Sequence, residues 1–347
     1  MALALAGIGC ITNMDPGPEF GSGTFPDRLP AGIPETAPRS SQPATGPQSS
    51  TATGESIVIC GKAIPIGVPV VLFSDPDGYD ARRTRAHFGP VDADDAPPVG
   101  KLRYTPGRQA RNGEQLIEAG SHDLPALAQV VDQFVLHYDV CGTSARCFRV
   151  LQDLRGLSVH FMLDIDGTLY QTLDLRDQAW HASAANPRSI GIEIANIGAY
   201  PVGSASELDR WSAVDGRGLR LVIPEPWRAR VRTPGFVGRP ARGQRVRGPI
   251  HGDEYEMLDL TPEQYDTLAH LSAALCRTFP KIRPETARDA DGRVRTDALG
   301  QAELARFGGI LGHHHLTRRK IDPGPAFSWE PFLARVRRLM GRAGADA

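Results

Sequence analysis

The strongest constraint on the fold is an alternation of strand-like and helix-like apolar patterns that begins near Leu124 and continues almost to the end of the 347-residue chain. Apolar residues recur every third or fourth position in the helical segments and every second position in the strands. In chain order the segments are the helix LPALAQVVDQF, the strand FVLHYDV, the helix SARCFRVLQDLR, the hairpin VHFMLDI-DG-TLYQTLDL, the strand SIGIEIANI, the helix TPEQYDTLAHLSAALCRTF and the terminal helix EPFLARVRRLM. Thr261 is predicted to cap the long helix, with Glu263 in its first turn. Strands that alternate with helices predict an α/β domain with a central mixed β-sheet flanked by helices.

Composition divides the chain into regions. Residues 1–55 are rich in Pro, Ser, Thr and Gly and cannot bury enough apolar surface to order themselves, so they are predicted to be a disordered segment and linker. Residues 56–123 form an N-terminal extension that opens with a β-like apolar run, so we expect it to be partly β. The main domain spans 124–340, and residues 203–253 interrupt its pattern. Nine arginines between positions 217 and 247 leave two interpretations of this insertion open, a solvated hairpin or a basic flap over an anionic polymer.

Charge and hydropathy exclude some classes of protein. The formal net charge of −1 provides no overall electrostatic bias, which argues against nucleic-acid binding. No run of 18 or more apolar residues occurs, so no transmembrane helix is expected. The N-terminus, MALALAGIGC, resembles the end of a bacterial lipoprotein signal, in which Cys10 would carry lipid and tether the protein to a membrane. A disordered start to the chain is the other interpretation.

The cysteines bear on the cellular compartment. There are five of them: Cys10, Cys60, Cys141, Cys147 and Cys276. Cys141 and Cys147 are close enough in sequence for a short disulfide, although sequence alone does not fix the pairing. Such a bond would require an oxidising compartment.

Two strands carry an ionisable side chain among apolar residues. In QFVLHYDV, His137 shares a face with Val135 and Asp139, away from the main apolar face. In SIGIEIA, Glu193 stands between the small residues Gly191 and Ala195. An open surface of this kind suits a carboxylate that must reach a water molecule. An exposed sheet face would look identical, however, and a single histidine on a strand is more often structural.

The segment GHHHLTRRKIDPGPAF collects three consecutive histidines, Lys320 and Asp322 in a short stretch. A catalytic zinc ion takes three protein ligands and keeps a fourth position for water. His137, one histidine of the triplet and Asp322 would supply that set. Consecutive side chains diverge, so the three histidines cannot all bind one ion.

Four motifs, in the same order, resemble the type 2 N-acetylmuramoyl-L-alanine amidases, the family that includes the peptidoglycan recognition proteins. LHYD resembles the strand with the first zinc ligand, and SVHFMLDIDGTLYQ with AWHAS resembles the hairpin and the pocket wall. SIGIEIANIG resembles the strand with the catalytic glutamate, and GHHHLTRRKIDPGPAF resembles the segment with the second histidine, a lysine and the last ligand. The resemblance extends from Leu124 to Phe332 and leaves the N-terminal third of the chain outside it.

The resemblance implies a set of zinc ligands, namely His137, His313 and Asp322. His313 follows Gly312 as the ligand histidine follows glycine in the family. The spacing from His313 to Asp322 is one residue shorter than in bacterial members of the family, which leaves His315 as the alternative ligand.

The resemblance also implies roles for other side chains. Glu193 matches the catalytic carboxylate, and Lys320 matches a cationic helper. Some relatives carry a tyrosine near the start of the hairpin where this chain has Val159, so Glu193 must serve instead. Three side chains are expected to bind substrate: Trp180, His181 and Asn196. Core packing is the alternative interpretation of Trp180.

A member of this family is expected to hydrolyse the amide bond between N-acetylmuramic acid and the L-alanine of the peptidoglycan stem peptide, with a zinc-activated water. The resemblance therefore implies Zn²⁺ as cofactor and peptidoglycan or a muropeptide as partner, in a monomer located in the cell envelope. Cys141 and Cys147 resemble the bonded pair of the recognition proteins. The alternatives are a non-catalytic peptidoglycan-binding recognition module and a zinc hydrolase that acts on another amide.

Overall fold

The computed structural model describes residues 54–89, 100–204 and 206–342. Cys10 and almost all of the predicted linker lie outside these residues, and the lipid-anchor prediction lies there with them. Within the described ranges, no helix combines the length and the apolar character needed to cross a membrane.

The strands of the described chain are short. They are β1 (Ser56–Ile59), β2 (Lys62–Pro65), β3 (Val70–Leu72), β4 (Tyr104–Thr105), β5 (Arg108–Gln109), β6 (Gln115–Ile117), β7 (Gln133–Tyr138), β8 (Phe161–Leu163), β9 (Leu169–Gln171), β10 (Gln178–Ala179), β11 (Ser189–Ile194), β12 (Ala199–Pro201), β13 (Ser212–Asp215), β14 (Gly218–Leu221), β15 (Val246–Ile250), β16 (Asp253–Met257) and β17 (Gly309–Gly312).

Two long helices and several short ones accompany the strands. The α-helices are α1 (Leu124–Val130), α2 (Ser144–Phe148), α3 (Ser206–Arg210), α4 (Pro262–Thr278), α5 (Gln301–Arg306), α6 (His313–Leu316) and α7 (Trp329–Arg342). A π-helical stretch, Arg149–Arg155, continues α2, and 3₁₀ turns occupy Ser183–Arg188 and Trp227–Arg230.

The central sheet contains six strands in the order β17-β7-β11-β8-β9-β3. The first four are parallel to one another, β9 is antiparallel to β8, and β3 is parallel to β9. The predicted mixed sheet with flanking helices is therefore confirmed. Because β17, β7 and β11 are parallel neighbours, the residues at their C-terminal ends meet at one edge of the sheet.

Alternate residues of the central strands point to opposite sides of the sheet. Phe134 and Leu136 of β7, together with Ile192 of β11, belong to the main apolar core that includes residues of α4 and α7. His137 and Glu193 have the opposite parity and are register partners across the β7–β11 pair. The strand periodicity thus separates a packed apolar face from a face that carries ionisable groups.

Helix α4 covers the apolar face. As predicted, Thr261 caps the helix, because its hydroxyl accepts a hydrogen bond from the Gln264 N–H at 3.2 Å. Gln264 completes a capping box, since its side chain accepts from the Thr261 N–H at 3.0 Å. Leu268, Leu271 and Leu275, at helical spacing, are fully buried. Burial of each such leucine contributes about 1.5–3 kcal/mol to folding.

The segment 56–123 packs into the same core as the central strands. Strand β3 forms one edge of the six-stranded sheet, and Ile57 and Ile59 are fully buried in the main apolar cluster. Arg108 of this segment is fully buried against the loop that precedes β11. The extension therefore contributes both core and internal contacts to the domain.

The insertion at 203–253 contributes strands to two small sheets, the β13–β14 hairpin and the sheet β12-β16-β15. Most of its arginines are paired with carboxylates: Arg220 and Arg239 with Asp215, Arg242 with Asp259, Arg245 with Asp209 and Arg247 with Glu256. Such pairing leaves less free positive charge than the sequence suggested, which favours the solvated hairpin over the basic flap.

The predicted disulfide between Cys141 and Cys147 is not present in the structure, where both residues are buried free thiols. The two side chains contact each other through a hydrogen bond rather than a covalent bond. Burial raises the pKa of the Cys147 thiol well above its usual value. Because disulfides form through the thiolate, this environment disfavours oxidation at that sulfur.

Candidate active site

Three side chains converge where strands β7 and β17 end. His137 is near the end of β7, His313 follows β17 directly, and Asp322 lies in the loop after α6. Nδ1 of His137 is 3.0 Å from Nδ1 of His313 and 3.0 Å from Oδ2 of Asp322, and the third side of this triangle measures 3.1 Å. These three residues form the one group, in the part of the chain that the structure describes, whose arrangement could hold a metal ion.

The other two histidines of the triplet point away from this group. His314 Nδ1 donates a hydrogen bond to the carbonyl oxygen of Asp322 at 3.0 Å. His315 Nδ1 accepts from the Gly312 N–H at 3.0 Å, and its Nε2 donates to the Arg295 carbonyl at 2.8 Å. The structure therefore places His313 rather than His315 beside His137.

The protonation states of His137 and Asp322 match those of metal ligands. Burial, followed by the neighbouring His313, lowers the pKa of His137 to about 4, so its imidazole is neutral at pH 7. Burial alone would raise the pKa of Asp322, but His313 and His137 outweigh it and hold that pKa well below its usual value. A neutral imidazole at His137 beside the ionised carboxylate of Asp322 provides donors ready to bind a cation.

Glu193 lies beside His137 on the neighbouring strand, as their register pairing requires. Its side chain is buried, and its Oε2 atom has no hydrogen-bond partner among the described residues. Burial, and then the charge of Asp322, raise the pKa of Glu193 well above its usual value. A carboxyl group of this kind, close to a candidate metal site, has the properties of a proton-transfer group.

The small residues on either side of Glu193 suggested an open surface, but the structure shows that this surface is covered. The ring of His181 packs against Gly191, where a Cβ atom would lie 2.4 Å from His181 Nδ1. Glycine at 191 therefore makes room for the imidazole. The sequence pattern revealed the small residue but not the ring that needs it.

Lys320 is almost fully buried, with 2% of its surface exposed. Its charge contributes to lowering the pKa of His137 and opposes the rise in the pKa of Glu193, so it lies within electrostatic range of both. A buried cation at this position could stabilise negative charge that develops on a substrate.

The three expected substrate-binding residues have different environments. Trp180 is half-buried, and its indole N–H donates to the Thr105 hydroxyl at 3.0 Å. Asn196 donates from Nδ2 to the Leu258 carbonyl at 3.0 Å, and its Oδ1 accepts from the Gly198 N–H at 2.8 Å. The polar atoms of Asn196 are thus engaged within the protein.

His181 is also internal, with 2% of its surface exposed. Its Nδ1 is 3.0 Å from Nε2 of His137, and its Nε2 is 3.3 Å from the Ser189 hydroxyl. The sequence predicts His181 as a substrate-binding residue; in the structure, its ring contacts His137, a candidate metal ligand.

Asp139 is a buried group of the same face that received no role from the sequence. Its Oδ1 accepts hydrogen bonds from three backbone N–H groups, those of Cys141, Gly142 and Asn196. Burial nevertheless raises the pKa of Asp139 to about 7. The strand alternation that places Asp139 on the same face as His137 is the sequence signal that could have identified it. The bonds fix the chain where β7 leaves the sheet.

Known proteins provide an independent comparison. A family model described as N-acetylmuramoyl-L-alanine amidase matches residues 127–325 of the chain. No curated protein matches the chain in sequence. Among solved structures, the amidase AmiD from E. coli, in complex with anhydro-N-acetylmuramic acid-L-Ala-D-gamma-Glu-L-Lys, is 17% identical with a TM-score of 0.34, over 59% of this chain and 57% of AmiD.

Two further solved structures are similar. AmpD is 19% identical with a TM-score of 0.31, over 68% of this chain and 90% of AmpD. The endolysin amidase LysCS from Clostridium intestinale URNW is 13% identical with a TM-score of 0.30, over 61% of this chain and 86% of LysCS. These structural likenesses are weak, so the assignment rests on the family model, which covers more than half of the chain. The chain belongs to the N-acetylmuramoyl-L-alanine amidase family, as its four motifs predicted.

Proposed function

We propose that this chain is a zinc-dependent hydrolase that cleaves the amide bond between N-acetylmuramic acid and L-alanine in peptidoglycan. The observation that carries the proposal is the convergence of His137, His313 and Asp322 beside the buried carboxyl group of Glu193. Their candidate ligand atoms lie within 4.8 Å of one another. Family membership, over residues 127–325, supports the nature of the bond that is cut.

The donor set fits a catalytic zinc site. Tetrahedral ligands about 2.0–2.1 Å from zinc are separated from one another by about 3.3 Å. The three separations of 3.0–3.1 Å in the structure come close to that value. Oδ1 of Asp322 is buried without a hydrogen-bond partner within the described ranges, as expected for a carboxylate whose compensating charge is a cation. Three protein ligands leave the fourth position to water or substrate.

The residues around the zinc site divide the catalytic work. Zinc held by His137, His313 and Asp322 would lower the pKa of water to about 7 and polarise the scissile carbonyl. Glu193 would take a proton from the attacking water and pass it to the departing amine of L-alanine. The ammonium group of Lys320 would stabilise the oxyanion of the tetrahedral intermediate, and one such donor is typically worth ~3 kcal/mol.

Location follows from the substrate. We propose that the protein acts in the cell envelope, where peptidoglycan lies, as a monomer tethered through Cys10. The lipoprotein-like sequence MALALAGIGC supports the tether. Fractionation of cells that express the gene with its upstream region should find the protein in the membrane fraction, and Cys10→Ala should release it. Recovery of both forms from the cytoplasm would contradict this location.

Digestion of purified sacculi tests the activity itself. Zinc-loaded protein should release stem peptides that begin with a free L-alanine amine, and mass spectrometry of the products identifies the cut bond. Removal of the metal with a chelator should abolish the release, and added Zn²⁺ should restore it. Cleavage at a different bond, or full activity of the metal-free protein, would contradict the proposal.

A further inference from the structure

His137 uses both of its ring nitrogens. Its Nδ1 faces His313 and Asp322, and its Nε2 is 3.0 Å from Nδ1 of His181. A neutral imidazole carries one N–H, and a nitrogen that binds a metal must present its lone pair. The proton of His137 therefore belongs on Nε2, which donates to His181.

The direction of the next hydrogen bond follows from the first. His181 accepts at Nδ1, so its own N–H is on Nε2, which is 3.3 Å from the Ser189 hydroxyl oxygen. A buried chain of donors thus runs from His137 through His181 to Ser189. Both imidazoles then have a defined tautomer.

Three contacts hold His181 and the loop that follows it. The close approach at Gly191 fixes one face of the ring. The His181 backbone N–H donates to Oδ1 of Asn186 at 3.1 Å. The buried guanidinium of Arg108 donates to the carbonyl oxygens of Asn186 and Ser189, at 3.3 and 2.9 Å. A residue of the N-terminal extension therefore anchors the loop that presents His181.

We propose that His181 is a positioning residue, which fixes the tautomer and ring orientation of the ligand His137 through the hydrogen bond to Nε2. The inference rests on the zinc site of the proposed function. Outer-shell partners of ligand histidines are commonly carboxylates or backbone carbonyls. Here the acceptor is a neutral imidazole, which orients the ligand while adding no negative charge to the site.

A pair of substitutions separates this role from simple packing. In His181→Asn, the amide oxygen lies near the place of Nδ1 and can still accept from His137. In His181→Gln, the amide lies near the place of Nε2, beyond the position that faces His137. Both variants replace the imidazole by an amide, so they differ chiefly in where the acceptor stands.

The readouts are the Zn²⁺ dissociation constant, measured by competition with a chelator, and the visible absorption spectrum of the Co²⁺-substituted protein. Loss of such a partner typically weakens metal binding by about 10–100-fold. We expect a loss of this size and a changed Co²⁺ spectrum in His181→Gln, with both properties largely retained in His181→Asn. Thermal unfolding of the metal-free proteins shows whether each variant folds, and His181→Phe replaces His181→Gln if the latter does not.

The possible outcomes are distinct. Equal zinc affinities and identical Co²⁺ spectra in wild type, His181→Asn and the variant without the acceptor would overturn the positioning role while leaving the amidase proposal intact. Equal losses in His181→Asn and the acceptor-free variant would also overturn it, because the hydrogen bond would then be irrelevant. Failure of the wild-type protein to bind zinc at all would overturn both proposals.

Discussion

The two faces of strands β7 and β11 have opposite characters, although they are built from alternate residues of the same segments. On one face, Leu136 and Ile192 are fully buried among apolar side chains of the main core. On the other, the adjacent residues His137 and Glu193 are also buried, but among polar groups. Glu193 there has an unpartnered oxygen among the described residues.

Both faces are buried, so burial does not distinguish them. They differ because the polar face carries a buried polar atom, Oε2 of Glu193, that has no hydrogen-bond partner among the described residues. An unpaired buried carboxylate oxygen costs free energy that a folded core avoids. The cost is tolerated where a ligand or a reaction uses the group. The contrast between adjacent residues of one strand leads to predictions in which stability and function separate.

His137→Ala should have the largest effect on function, because it removes a proposed zinc ligand and the proposed donor to His181. The purified variant should contain no stoichiometric zinc and release no stem peptide from sacculi. Metal analysis and product release measure the two properties. Zinc content and turnover equal to those of the wild type would show that the polar face does not hold the metal.

Glu193→Gln should separate metal binding from turnover. The amide keeps the shape of the side chain but cannot take a proton, so the turnover number should fall by about 10²–10⁴-fold. Zinc content should stay at the wild-type level, since Glu193 is not placed as a ligand. Ile192→Val, on the opposite face, is the matched control and should keep normal turnover at a cost of about 0.5–1.5 kcal/mol in stability. Normal turnover of Glu193→Gln would remove its catalytic role.

Leu136→Ala should show the reverse separation. The cavity left in the core should reduce the free energy of unfolding by about 2–5 kcal/mol. Denaturant titration of the metal-free protein measures this loss. The folded fraction should still bind zinc, because the side chain lies on the other face from His137. Loss of zinc affinity in fully folded protein would mean that the two faces are not independent.

His315→Ala should have the smallest effect of the series. His315 bonds the Gly312 N–H and the Arg295 carbonyl, so its loss should cost about 1–3 kcal/mol in stability through groups left unpaired. Zinc content should be unchanged, whereas the parallel variant His313→Ala should lose its zinc. The opposite pattern would make His315 the ligand.

The strand periodicities predicted the fold and the two faces of the sheet because alternation along a strand is a local property of the sequence. The motif order predicted the family, which the family model confirms. The environment of Glu193 could not be predicted, since the ring that covers Gly191 comes from His181, ten residues earlier and outside the strand. No sequence signal connected Arg108 to the loop between His181 and Ser189, because the contact joins segments that are distant along the chain.

The Cys141–Cys147 prediction did not match the structure for a related reason. Sequence spacing indicates which thiols can meet, but not how deeply they are buried. Burial raises the pKa of Cys147, and that property depends on the packing of α2 against the rest of the domain. Likewise, the arginines of the insertion looked like free charge in the sequence until the structure placed carboxylates beside them.

A crystal of the zinc-loaded protein, with diffraction data collected on both sides of the zinc absorption edge, tests whether His137, His313 and Asp322 bind zinc. We predict one strong anomalous peak per chain, about 2.0–2.2 Å from Nδ1 of His137, Nδ1 of His313 and Oδ2 of Asp322. Zinc bound at His314 or His315 instead, or no peak at the end of β7 in protein that cleaves sacculi, would contradict it.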